Sequence, residues 1–259
     1  MSKEIILQVK DLKKSFGKHE VLKGVDFVVR KGQIFSLLGS NGAGKTTAIR
    51  IITTLLGFDA GDVKVCGHDV ANEKTKVREC ISLTGQYAAV DEMLTGRENL
   101  YLVANLRHLK NYKDKVEELL EMFELTEAAG KLVKTYSGGM RRKVDIAMSL
   151  LGDPQIIFLD EPTTGLDPQS RLKLWKMIKD LKEKGTTIFL TTQYLEEAEH
   201  LGDYIAVLND GKIIAGGTLK ELKKMMPDWK PVMVETSPSL EDVFLNLIKN
   251  GKKGGNNEN

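Results

Sequence analysis

The sequence predicts an α/β protein: a mostly parallel sheet core, an N-terminal antiparallel β-subdomain and a helical insert. Three observations predict it. Short apolar runs such as QIFSLLG (33–39), QIIFLD (155–160) and TTIFLTT (186–192) have the pattern of strands buried on both faces. Helical stretches alternate with these runs, and right-handed crossovers then make the strands parallel. From about Arg97 to Leu151 no strand pattern is convincing, and Val116, Leu119, Leu120 and Phe123 fall on one helical face.

In chain order, EIILQVK (4–10) and the segment around VDFVVR (25–30) are β-rich and partly alternating, as antiparallel strands are. QIFSLLG feeds a glycine-rich loop, and KTTAIRIITTLLG (45–57) reads as a helix stopped by Gly57. GDVKVCG (61–67) and ISLTGQ (81–86) are further short strands. After the helical insert come the strand at 155–160, a helix over 168–184 and the strand at 186–192. A helix from about 194 and strands YIAVLN (204–209) and GKIIAGG (211–217) complete the pattern. Beyond about Leu222, PDWKPVMVETSP is punctuated by proline, SLEDVFLNLIKN suits one amphipathic helix, and GKKGGNNEN has a disordered composition.

With 259 residues, 41% hydrophobic and 29% charged, the chain can bury a sizeable core. A net charge of +2 gives no strong field for nucleic acid or anionic lipid. No apolar run approaches the roughly 20 residues that span a bilayer, and MSKEIILQVK has no signal core. Cys66 and Cys80 are too few and too far apart for a disulfide framework or zinc knuckle, and read as reduced core or half-buried thiols.

GSNGAGKTT (39–47) carries the chemistry. Gly39, Gly44, Lys45 and Thr46 fit G-x-x-x-x-G-K-[ST] between a strand and a helix, the context in which backbone amides wrap a phosphate. Lys45 is the residue type that reaches β/γ-phosphate oxygens, and the Thr46 hydroxyl the type that ligates Mg²⁺. Asp160 ends a buried strand at the carboxyl edge of the sheet, where it can join the magnesium shell. Glu161 follows as a candidate general base. A second cradle stands at TYSGGMRRK (135–143), where Ser137 is placed to cap a helix and Gly138 and Gly139 permit close backbone approach. In the same stretch GMRRK (139–143) reads as a solvated helix face. His200 reads as solvated too.

GSNGAGKTT, YSGGM and IIFLDEPTTGLD occur in the order and spacing of ATP-binding-cassette ATPases, and the likeness covers roughly residues 4–222. Within that family, GQYAAVDEMLTGRENL, LTTQYLEEAE and SPSLEDVFL resemble the daunorubicin/doxorubicin-resistance type of export ATPase. The resemblance implies a P-loop NTPase (RecA-like) core over 1–87 and 153–222, a helical signature subdomain over 88–152 and a C-terminal extension over 223–259. It implies ATP and Mg²⁺, with Ser40, Asn41, Gly42, Ala43 and Thr47 completing the nucleotide loop. Phe16 would stack on adenine, although a bare β-rich context favours a core role, and Gln86 would touch Mg²⁺ or water. Ser137, Gly138, Gly139 and Met140 would close over the γ-phosphate held by another subunit, with Asp167 in the segment that crosses between subunits. Gln193 stands where most of the family has histidine; its amide donates a hydrogen bond but carries no charge.

The implied partners are an integral-membrane permease and a second ATPase subunit, identical or paralogous, and no nucleic acid. The implied location is cytoplasmic, peripheral on the inner face of the cell membrane. Three rival readings differ in what they require. A non-transport cassette ATPase acting on ribosome or DNA usually fuses two cassettes or carries a long coiled-coil arm, and neither appears in this sequence. An ATP sensor would lack the carboxylate at 161, and a P-loop kinase has no use for YSGGM.

Overall fold

A computed structural model of the chain describes residues 4–225. The readings of PDWKPVMVETSP, SLEDVFLNLIKN and GKKGGNNEN therefore lie outside the described residues.

Two long strands, β1 (Ile5–Phe16) and β2 (His19–Arg30), pair antiparallel. Strand β3 (Ile34–Leu38) then enters the core and delivers the chain to helix α1 (Lys45–Ile52). This helix ends well before Gly57. Thr54 adopts a left-handed φ of 65°, and the Thr53 hydroxyl donates to the Ile49 carbonyl at 2.8 Å. The paired threonines offer the backbone a local alternative to another helical turn. Strand β4 (Ala60–Val65) pairs with β1 and with the two-residue β5 (His68–Asp69), so it belongs to the antiparallel sheet. Helix α2 (Lys74–Cys80), a segment with no clear periodicity, leads into β6 (Ile81–Thr84).

The insert contains α3 (Gly96–Leu106), α4 (Tyr112–Met122) and α5 (Gly138–Leu150). Val116, Leu119, Leu120 and Phe123 are all buried on one face, as their spacing requires. Strand β7 (Ile156–Asp160), helix α6 (Pro168–Glu183), strand β8 (Thr187–Thr192), helix α7 (Leu195–Leu201) and strands β9 (Tyr204–Asn209) and β10 (Lys212–Gly217) follow. A final helix, α8 (Leu219–Lys223), starts from a capping box between Thr218 and Glu221.

The central sheet has the order β10-β9-β3-β8-β7-β6 and is parallel except for β10. The antiparallel sheet has the order β2-β1-β4-β5. Strands β3, β7 and β8 are buried along their whole length because both faces are covered. On one face Phe35 stacks on Phe27 at 5.0 Å and on Phe189 at 5.2 Å, beneath the antiparallel sheet and α1. On the other, Ile157, Leu159, Ile188 and Leu190 pack against the helical insert and α6. The rigid sheet thus presents the ends of β3, β6, β7 and β8 side by side.

The two cysteines, distant in sequence, meet in the fold. The Cys66 thiol is hydrogen-bonded with that of Cys80, which together with burial pushes its pKa up, and both remain free.

Candidate functional site

The phosphate-loop residues connect β3 to α1 at the carboxyl edge. The Gly39 amide donates to the Thr192 carbonyl at 3.1 Å, which ties the loop to the end of β8. A Cβ on Gly39 would lie 2.5 Å from the Leu208 carbonyl oxygen, so only glycine fits there. Gly44 has φ 109°, and its Cβ would meet Leu22 Cδ2 at 2.8 Å. Lys45 is 4% exposed and folds back over the loop, donating to the Gly39 and Ser40 carbonyls at 2.8 and 3.0 Å. A lysine so held beside a helix N-terminus forms a cationic cradle for an anion.

Strand β7 places Asp160 and Glu161 opposite this loop. Asp160 Oδ1 accepts from the buried Thr191 hydroxyl and, at 3.4 Å, from Thr46 Oγ1. The Glu161 carboxylate lies 3.1 Å from Lys45 Nζ and accepts from Gln86 Nε2 and Thr164 Oγ1, both at 3.3 Å. Its backbone sits at φ 47°, a conformation that costs a non-glycine residue about 1–3 kcal/mol and persists only when its surroundings impose it. Gln86 itself follows β6, the edge strand beside β7. An open cleft of about 530 Å³ is lined by His19, Asn41, Thr46, Thr47, Gln86 and Glu161, among others. Hydroxyl, carboxylate and amide oxygens from Thr46, Asp160 and Gln86 are the hard donors that Mg²⁺ takes, so the residues fit that ion.

The remaining sequence-selected residues divide into near and far groups. Gln193 directly follows Thr192, the residue of β8 that pairs with Leu38 at the start of the loop. Phe16 ends β1, pairs with His19 and is 51% exposed, which overturns the core role its β-rich context favoured. Ser137, Gly138, Gly139 and Met140 stand apart from the cleft, at the opening of α5 beside α6. Ser137 caps α5 by accepting from the Met140 amide at 3.3 Å. Asp167 caps α6, accepting from the Ser170 amide and hydroxyl at 2.9 and 2.6 Å, which holds its carboxyl below the usual range. Gly139 packs so tightly on Ser170 that a Cβ would come within 2.8 Å of its hydroxyl. His200 is half exposed and lies against Trp175, away from the cleft lining.

A family model described as ABC transporter matches residues 22–164, more than half of the chain. The chain belongs to the ABC transporter family. This ABC ATPase is 49% identical over 219 residues to a daunorubicin resistance ATP-binding protein of Streptomyces coeruleorubidus, covering 84% of this chain and 69% of that protein. Its fold matches a solved ATP-binding subunit of an ABC transporter with TM-score 0.77 and 31% identity, covering 94% and 99% of the two chains. It also matches a dimeric cassette in a post-hydrolysis state bound to ADP and Pi, with TM-score 0.73 and 28% identity, over 82% and 98%.

The ABC ATPase carries site-adjacent residues that its sequence did not single out. Arg142 stands in GMRRK, the expected solvated face, yet its side chain is only 5% exposed, as is that of Asp145. The two form a buried pair at 3.2 Å. Burial raises the Asp145 pKa to about 6 against the opposing pull of Arg142, and burial likewise lowers that of Arg142. Arg141 is partly exposed and pairs with Glu92, whereas Lys143 is mostly buried and pairs with the exposed Glu124. The overlooked signal is the Arg–Asp spacing of i, i+3 beside the apolar residues Val144 and Ile146–Met148. Glu197 is fully buried as well, accepting from Thr163 Oγ1 at 2.8 Å and Trp175 Nε1 at 3.0 Å, and burial raises its pKa. It joins α7 to the segment after Glu161, a connection invisible in the linear chain.

Proposed function

We propose that this ABC ATPase powers export of hydrophobic compounds through a separate integral-membrane permease, acting as a head-to-tail dimer on the inner face of the cell membrane. The carrying observation is a division of labour within one chain. Lys45, Thr46, Asp160, Glu161 and Gln86 meet at one sheet edge, while the Ser137 turn opens a different helix beside Asp167. A triphosphate on the loop thus has its second cradle supplied by another subunit, identical or paralogous, and two nucleotides are buried when the dimer closes.

In this reading Gly39–Thr47 wrap the phosphates with backbone amides, and Lys45 turns its ammonium to the β/γ oxygens. Phe16, exposed beside the cleft-lining His19, stacks on adenine. Thr46, Asp160 and Gln86 hold Mg²⁺, which when bound neutralises charge developing on the transferred phosphoryl group. Glu161 orients the attacking water and accepts its proton, and the Gln193 amide donates toward the γ-phosphate. Ser137, Gly138, Gly139 and Met140 cap that phosphate in trans with the positive end of α5.

Among the described residues no helix is long and apolar enough to cross a membrane, so the reading assigns the pore to another chain. The helical insert over 88–152 is its docking region: Tyr87, Met93, Leu102 and Leu106 are exposed apolar residues on and just before the insert. The resistance name of the Streptomyces relative supports a hydrophobic cargo. Reconstitution of the ATPase with a candidate permease in sealed vesicles tests the whole reading. ATP-dependent movement of a hydrophobic drug, abolished by Glu161→Gln, is the expected result; drug movement without ATP, or none with active ATPase, counts against export.

A further inference from the structure

Arg142 lies five residues beyond Ser137 on α5, and its guanidinium reaches three backbone carbonyls on two other segments at once. Nε donates to the Pro162 carbonyl at 2.9 Å, and Nη2 to the Asp160 carbonyl at 3.2 Å. These two carbonyls bracket Glu161 on either side. Nη1 donates to the Gly85 carbonyl at 2.6 Å, the residue immediately before Gln86. Nη1 also meets Asp145 Oδ2, and Asp145 Oδ1 accepts from the Ala89 amide at 3.2 Å, which pins the far end of the same loop.

A buried arginine is retained at a cost in desolvation, so four well-placed acceptors around it call for a role. The strained backbone of Glu161, at φ 47°, needs an external brace, and the bracket on both of its neighbours supplies one. Gln86 hydrogen-bonds the Glu161 carboxylate, so one cation aligns both partners of that contact. Lysine would not serve: it offers three donors from a single point, not a planar fork reaching carbonyls on separate loops.

We propose that Arg142 is a positioning residue for hydrolysis, joining the Ser137 helix, the Gln86 loop and the Glu161 backbone into one unit. Its side chain is buried and is not among the residues that line the cleft. Its effect is to hold Glu161 in register at its own site while tying it to the helix whose Ser137 turn serves the partner's nucleotide, so that the two sites of the dimer are coupled. The inference rests on the assignment of Glu161 as the base made above.

Steady-state phosphate release by the purified full chain tests it, using Arg142→Lys alone and in a Glu161→Gln background, at a temperature well below each variant's melting point. The expected result is a fall in kcat on the order of 10- to 100-fold for Arg142→Lys, as a small misplacement of a catalytic group produces, with KM for ATP within about twofold of wild type. In the Glu161→Gln background the same change should add little, since Arg142 acts through Glu161. An unchanged kcat, a loss confined to KM, or fully multiplicative losses would each overturn the proposal. Should Arg142→Lys not fold, Arg142→Gln, which keeps two amide donors, is read by the same criteria. If Glu161→Gln itself turns over normally, the assignment of the base fails instead, and the two failures are told apart.

Discussion

Lys45 Nζ stands 3.1 Å from the Glu161 carboxylate, and both side chains are almost wholly buried. One carries the proposed phosphate-binding charge and the other the proposed base, so substitution should separate binding from chemistry. Glu161→Gln keeps an acceptor beside Lys45, whose two carbonyl partners remain. Turnover is expected to fall by about 10²–10⁴-fold, the usual contribution of a general base, with ATP affinity retained. Lys45→Met instead removes the cation, strands a buried carboxylate and should cost roughly 3 kcal/mol of stability together with ATP affinity. Fluorescent-nucleotide titration, phosphate release and chemical denaturation on both variants check the contrast.

Stability should respond to pH through Asp145. Its folded pKa, about 6, exceeds its ordinary 3.8, so the native state prefers the protonated acid. The stabilisation from proton uptake is complete below the unfolded value and is lost as pH rises through about 6. Buried Glu197 is raised in the same sense. The melting temperature is therefore expected to rise modestly from pH 7 to about pH 5. Below that, acids held low by partners, among them Glu73 at about 2, lose their contribution as they protonate. Asp145→Asn should flatten the upper part of this profile, measured by calorimetry across pH 4.5–7.5 (a window set by these shifts).

Two helix caps of equal kind separate structure from catalysis. Ser137 caps α5, and Thr95 caps α3 through a capping box. Alanine at either position should cost about 1 kcal/mol. Only Ser137→Ala should also lower hydrolysis, on the order of tenfold or more, because in the proposed dimer it removes a preorganised donor from the partner's γ-phosphate. Thermal melts and phosphate release on the pair decide this, and equal hydrolysis in both would remove Ser137 from the site.

In the proposed mechanism Gln193 supplies a neutral amide donor at the position where the resemblance leads one to expect histidine. Gln193→Ala should lower kcat by about 10²-fold, the typical loss when one transition-state donor is removed. Gln193→His should recover most of that rate and introduce a pH dependence near 6.5, which wild type lacks at this position. Rate–pH profiles of the three proteins check it.

Much of this was legible in the chain because its signals are local. GSNGAGKTT between a strand and a helix needs only neighbouring residues to shape a phosphate cradle, and β3, β7 and β8 announce themselves as apolar runs. The period of Val116, Leu119, Leu120 and Phe123 likewise marks its helix without any partner in view. Helix α1 is shorter than its sequence predicts because Thr53 and Thr54 compete for backbone hydrogen bonds that propensity assigns to the helix. What only the tertiary structure decided is which distant groups share one environment. Arg142 reads as solvated by composition, yet the fold surrounds it with carbonyls 18, 20 and 57 residues away. Cys66 meets Cys80, and Glu197 meets Thr163, by the same token. Periodicity and motif spacing record how a segment satisfies itself, whereas burial and electrostatic pairing depend on what the sheet order brings alongside.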